Sequence, residues 1–461
     1  LPPYYGSAVA LLAALLLLGG CGSSTKPEEP ESDLLTDEEM LTEEDPNAPE
    51  ENPDWGDWII ANNIPVRSLS STEPTDLEAL VPYLEGKRIV QLGESGHGIS
   101  QFNSIKVRLI RFLHEQLDFD VIAFESGLFD CRHVDDGADT LTAEEMLRNS
   151  IFQIWHCSEV LPLFEYIEEQ RDGGDPLTLA GFDIQFSSPT SREHRPAFFR
   201  DIVAEFNPEY ADHIYAVDQE FTRSFNLSSY IRDKRWSLID EYDALADSIS
   251  AHKYGLSADP LNVLVAERIA AFTGDYVDML FYFNLHNYAL SNGIRDEEMA
   301  ANVEFLLNEL YPDKKIIVWA HNVHICHNYD AVSDGTFDSM GKYLHEARGE
   351  EMYTIGLYMY RGGGAWNNRQ TYNVTAAKSG SIESVFYRTR RKHCFADMLG
   401  QERNDGNSWM FERIIAKTWG VNNVGLVPRD QYDAILFVDT VSPPDYLSVP
   451  AKETGAFLKR P

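Results

Sequence analysis

Arg88-Ile89-Val90-Gln91-Leu92-Gly93-Glu94-Ser95-Gly96-His97-Gly98 is the stretch that decides the fold. Its first five residues read as a short buried strand. The glycines break it, and a helical pattern follows over Ser100–Leu117, with Phe102, Ile105, Leu109, Phe112 and Leu113 at helical spacing. A second apolar run, Asp120–Glu125, comes next, so the order is strand, helix, strand: a right-handed parallel unit. Further runs of the same kind are Leu177–Phe182, Lys315–Ala320, Tyr353–Tyr358 and Ala434–Val438. Short, continuous and apolar, they suit strands covered on both faces. The class is α/β, a largely parallel sheet flanked by helices. Glu94 and His97 then stand where a parallel strand hands over to a helix, the edge at which open α/β sheets bind ligands.

The stretch between the third and fourth strands is different. From Arg195 to Leu307 the composition is helical and rich in aromatics, with breaks at Pro208, Gly255 and Pro260. This predicts an all-helical insertion over 190–290 that interrupts an α/β catalytic domain of 55–189 and 291–461 and roofs its active-site edge. Gly362-Gly363-Gly364-Ala365-Trp366-Asn367-Asn368 reads as a mobile glycine-rich loop.

The formal charge is −36, from 38 Lys and Arg against 74 Asp and Glu. That balance argues against nucleic acid, whose phosphates need cationic partners. Part of it lies in Glu28–Asp57, which has fourteen acidic residues and no Lys or Arg. Residues 22–54 are therefore expected to be a disordered, self-repelling tether. Before it, the apolar Ala8–Gly20 ends in Leu18-Gly19-Gly20-Cys21, which resembles a bacterial lipoprotein cleavage box. The resemblance implies a signal peptide over 1–21, lipidation of Cys21, and export to a bacterial membrane facing the periplasm or exterior. Cys131, Cys157, Cys326 and Cys394 are widely spaced with no CxxC pair, so they are read as buried thiols or one disulfide, not a zinc site.

Several ionisable groups close strand-like runs. A neutral His97 near a helix start can take a proton from water, with Glu94 three residues back to orient it; the competing role for the pair is capping the helix. Glu125 ends an apolar strand, where a carboxylate needs a partner: it is either an arginine's counter-ion or a second catalytic carboxylate. Asp183 is ambiguous in the same way. His321, His324 and His327 recur at spacing three, with His321 and His324 on one face of a turn and His327 at the edge. Arg295, Met299 and Asn302 share a helical face and are candidates for lining a pocket, unless Arg295 is a surface residue paired with Asp296 or Glu298.

Taken together, the Gly93–Gly98 run, the strand ending in Glu125, Arg295-Asp296 with Met299 and Asn302, and Trp319-Ala320-His321-Asn322-Val323-His324 look like the erythromycin esterase family. Tyr432–Asp439 resembles that family's closing strand, and the likeness runs from about 75 to 445. The resemblance implies a hydrolase opening an ester or lactone, with a small-molecule substrate. It places the water-activating base on His97 and further catalytic roles on Glu94, Glu125, His321 and His324; Arg295, Met299 and Asn302 stay, from their shared face, the candidates for binding the substrate. Gly96 departs from the family, where a hydroxyl residue is common. Acid–base chemistry of this kind needs no cofactor. The alternative is a divalent metal held by His97, Glu125, His321 and His324. A competing reading from another class is a haem- or ligand-binding surface lipoprotein of related fold. Two carboxylates among the histidines favour the hydrolase, since a haem site gains nothing from them.

Overall fold

The computed structural model of the chain describes residues 34–42, 52–332 and 335–448. The signal peptide, Cys21 and most of the acidic tether lie outside them. Eleven strands are described, β1 (Ile64–Pro65), β2 (Ile89–Leu92), β3 (Val121–Gly127), β4 (Thr178–Asp183), β5 (Ile316–Trp319), β6 (Met352–Ala365), β7 (Thr371–Val374), β8 (His393–Asp397), β9 (Ile414–Thr418), β10 (Asn422–Leu426) and β11 (Ala434–Val441). The main sheet runs β1-β8-β11-β6-β2-β5-β3-β4, and β7 pairs with β6. Its six central strands, β11-β6-β2-β5-β3-β4, are all parallel and are the six apolar runs of the sequence. Antiparallel β8 and β1 extend one edge. β9 and β10 form a separate hairpin.

Alternation along the strands splits the core in two. Ile89, Val121, Ala123, Ile316 and Val318 join one apolar cluster, and Val90, Leu92, Ile122, Phe124, Ile317 and Trp319 join the other. The helix Ser100–Leu117, predicted with the same ends, covers the second face. Residues 190–290 are helical, in segments Thr190–Val203, Pro208–Ser224, Ser228–His252 and Pro260–Asn284, and pack on the first face through Phe221, Tyr242, Ile269 and Tyr276. The next helix, Tyr288–Phe305, crosses the expected boundary at 290 without a break. The described residues form one compact unit. No helix among the described residues is long and apolar enough to cross a membrane.

Two expectations are corrected. Part of the tether is ordered: Met40 is fully buried, Leu41 bridges to Arg391, and Asp37 pairs with Arg67. Leu34, Leu35, Met40 and Leu41 supply apolar surface that the acidic composition hides. The glycine run is no loop either, because Gly362–Ala365 ends β6. Gly362 has φ 125° and a Cβ there would stand 2.1 Å from the Val441 carbonyl oxygen, so only glycine permits this pairing.

Candidate active site

Glu94 follows β2 and continues the side-chain parity of Val90 and Leu92, which turns it toward the helix Ser100–Leu117. There its Oε2 meets Lys106 Nζ at 2.8 Å, while Oε1 lies 2.6 Å from His97 Nδ1. Glu94 and Lys106 are fully buried. Lys106 also sits over the Trp319 ring, 4.0 Å from its centroid. Burial pushes the Lys106 ammonium down to about 8, against the pull of Glu94. A carboxylate can only accept, so the neutral His97 ring keeps its proton on Nδ1 and its lone pair on Nε2. The helix itself begins at Ser100 without a side-chain cap, so Glu94 and His97 are not capping residues.

The second half of the site comes from the other face. Glu125 in β3 accepts from Arg295 Nη2 at 2.8 Å and from the His321 amide at 2.8 Å. Arg295 also binds Asp183, with Nη2 2.6 Å from Oδ2. It is thus the counter-ion of two strand-end carboxylates, and not a surface residue paired with Asp296 or Glu298. Burial raises the Glu125 carboxyl, but His324, Arg295, His97 and the His321 amide outweigh it and hold the group well below the usual range. His324 Nδ1 is 2.8 Å from Asp296 Oδ1. Its Nε2 lies between Arg295 Nη1, at 3.1 Å, and Glu125 Oε1, at 3.4 Å. A neutral ring accepts from the arginine there, and a charged ring donates to the glutamate. Burial pushes His324 down, and Asp296 and Glu125 lift it to a net upward shift.

His321 sits at the N-cap of the short turn Asn322–Ile325, and its Nδ1 accepts the Val323 amide at 3.2 Å. The ring proton is therefore on Nε2, which is buried and has no hydrogen-bond partner. Burial, then the neighbouring His97, drives His321 well below the ordinary imidazole range. His321 and His324 are thus pushed apart, one toward the neutral ring and one toward the charged ring. The His97 and His321 rings stand edge to face with centroids 5.0 Å apart. Around them, Trp155 is 5.3 Å from His97, and Trp419 is 5.3 Å from His97 and 5.5 Å from His321.

Glu94, His97, Glu125, His321, His324 and Arg295 are therefore brought together. Met299 and Asn302 are not. Met299 is fully buried in the core. Asn302 donates to the Phe182 carbonyl at 2.8 Å and accepts from Arg268 Nε at 2.7 Å, so it ties the helix to β4 and offers nothing to a substrate. His327 lies outside the site, stacked on His345 at 4.0 Å. The four cysteines are buried free thiols. Among the described residues no group of three or more His, Cys, Asp or Glu is arranged around a cation position. In the quartet His97, Glu125, His321 and His324, the Arg295 guanidinium already occupies the space between Glu125 and His324, and the His321 Nδ1 lone pair is taken by the Val323 amide. That donor set does not fit a metal.

Lys106, Asp296, Trp155 and Trp419 belong to the site without having been singled out as site residues from sequence. A lysine among the regularly spaced apolar residues of Ser100–Leu117 was the available sign of the first. Trp419 sits at the tip of the β9–β10 hairpin with φ 55°, followed by Gly420 at φ 66°. Positive φ at both central positions is the turn that hairpins favour, although a tryptophan there is strained.

A parallel sheet whose carboxyl edge gathers three histidines, four carboxylates, an arginine and a buried lysine defines an open α/β protein with an acid–base centre. The erythromycin esterase family profile matches residues 114–441. The chain is 31% identical over 419 residues to the putative hydrolase YbfO of Bacillus subtilis (strain 168), covering 84% of this chain and 91% of that protein. It is 22% identical over 339 residues to erythromycin esterase type II of Escherichia coli, covering 66% and 77%. In structure it is similar to a mutant of the erythromycin esterase EreC in its open conformation, with TM-score 0.63 and 20% identity, covering 82% of this chain and 96% of that one. The chain belongs to the erythromycin esterase family, and that membership supports a hydrolase.

Proposed function

We propose that the protein hydrolyses a carboxylic ester or lactone of a small molecule with water activated by His97. The observation that carries this is the pairing of a carboxylate-held His97 with a buried, unpartnered Nε2–H on His321, ring against ring. His97 Nε2 takes a proton from water as the oxygen attacks the carbonyl carbon. The His321 Nε2–H, aided by the positive charge on Arg295, stabilises the oxyanion. The tetrahedral intermediate collapses, the C–O bond to the alcohol breaks, and the proton on His97 passes to the departing alkoxide. Glu94, held by Lys106, keeps the imidazole in its working tautomer throughout.

The family's named activity supports a lactone or ester of macrolide type as the first class to try. The haem-binding alternative is not favoured: His97 and His321 lie in contact, leaving no slot for a porphyrin between them. The test is a screen of purified protein against macrolides and simple aryl esters, with and without chelator. Hydrolysis should survive the chelator and fall by at least about 10²-fold in His97→Ala, the usual share of general-base catalysis. Full activity per folded molecule in that variant would sink the reading. Anchoring through Cys21 is part of the same proposal. Detergent-phase partition of the expressed protein should be lost in Cys21→Ala, and unchanged partition would refute it.

A further inference from the structure

Next to the charged centre along the chain, a cavity opens between the β9–β10 hairpin and the turn Asn322–Ile325. Three of its wall residues, Ser95, Asn322 and Thr418, are the chain neighbours of Glu94, His321 and Trp419. The rest of the wall is aliphatic and aromatic apart from Cys326 and from Lys417, whose ammonium is held by the Tyr360 and Thr375 carbonyls, with Val323 from the turn and Val424 and Leu426 from alternate positions of β10. Its volume is about 40 Å³, room for about three waters or a branch of about four carbon atoms.

One polar atom in this wall is unaccounted for. Ser95 is 2% exposed and its Oγ has no hydrogen-bond partner. Buried hydroxyls are almost always paired, and an unpaired one calls for an explanation. The serine is held in place by its backbone: its amide donates to the Leu357 carbonyl at 3.1 Å, and its carbonyl accepts the Trp419 amide at 2.5 Å. Hairpin tip, serine and catalytic strand are thus one rigid corner.

We propose that this cavity is a substrate subsite that receives a short apolar acyl arm bearing one oxygen, which Ser95 Oγ hydrogen-bonds. The proposal rests on the hydrolase reading and adds to it the class of substrate: a short hydroxy- or keto-acyl group, set beside the scissile carbonyl by the corner that carries Trp419. A long straight chain does not fit.

The experiment uses p-nitrophenyl acetate, butyrate, 3-hydroxybutyrate and octanoate with the whole protein. Burying two further methylenes should make kcat/KM for butyrate about tenfold higher than for acetate. The 3-hydroxybutyrate should exceed butyrate, and octanoate should fall below it. Val424→Phe should collapse the butyrate-to-acetate ratio toward one, and Val424→Ala should move the optimum to a longer chain, a shift that loss of stability does not mimic. Ser95→Ala should erase the advantage of the 3-hydroxyl. Butyramide, which is not cleaved, gives a separate readout by saturation-transfer NMR: binding to the wild type and loss in Val424→Phe. Butyramide binding without cleavage of any ester would overturn the hydrolase reading and keep the subsite. Cleavage with no chain-length preference, or equal butyramide signals in wild type and Val424→Phe, would overturn the subsite.

Discussion

Replacing Arg295 with methionine should destabilise the protein strongly at neutral pH and much less in acid. Methionine keeps the length and the apolar stem but removes every N–H. Glu125 is 3% exposed and Asp183 is fully buried, and both depend on this guanidinium. Breaking a buried pair by removing one partner typically costs about 3–5 kcal/mol, because a charge is left without compensation. The loss at pH 7 should therefore reach about 3 kcal/mol or more. Its pH dependence follows from Glu125, whose folded carboxyl is held well below its ordinary value. Such a group contributes stability that is fully present above its unfolded pKa, roughly 4.3, and is lost as pH falls through the folded value. Arg295 is one source of that depression, so the gap between wild type and variant should be widest from pH 5 to 8 and narrow below about pH 4. Urea unfolding followed by far-UV circular dichroism from pH 3 to 8 measures it. A gap under about 1 kcal/mol at pH 7, in the range of an exposed surface pair, or one that does not change with pH, would show that Arg295 is not the counter-ion described.

Other perturbations separate the parts of the site. Lys106 titrates near 8 in the folded protein, so Glu94 loses its counter-ion above that pH and the rate should fall on the alkaline side. Lys106→Arg, which stays charged, should move that limb upward in a pH–rate profile, and an unmoved limb refutes the assignment. Glu94→Gln should lower kcat through poorer orientation of the imidazole, and His324→Ala should cost less than His97→Ala. Kinetics per folded molecule test both, and a His324 loss equal to that of His97 would move the base elsewhere. Trp419→Asn suits the left-handed turn better, so thermal stability should hold or rise while KM increases. A fall in melting temperature with KM unchanged would make Trp419 a packing residue alone.

The six parallel strands were legible because each is a continuous apolar run, the mark of a strand covered on both faces. β8, His393-Cys394-Phe395-Ala396-Asp397, has only three apolar residues between polar ends. β10 leaves Asn422 and Asn423 exposed, and β7 leaves Thr371 and Asn373 exposed. Antiparallel additions carry a weaker signal than the buried centre. The site follows the same division. Glu94, Glu125, Asp183 and His321 announce themselves by interrupting apolar strands at their ends. Lys106 lies inside a helix whose spacing alone reads as core. Trp419 is placed by a hairpin that the sequence did not reveal, and Met299 and Asn302 shared Arg295's predicted face yet turn into the core.

Asp183 closes β4 and Arg295 lies 112 positions further on, in the helix Tyr288–Phe305 that leads back toward β5, so the ion pair between them fastens the helical insertion at both ends. Everything between those two residues is a cassette pinned at its base. The acid–base centre lies on the sheet side of that fastening, together with the arginine that completes it. Helices between the pins also bear on the sheet through Phe221, Tyr242, Ile269 and Tyr276, so an exchange for those of a relative must carry that apolar face together with the aspartate and the arginine.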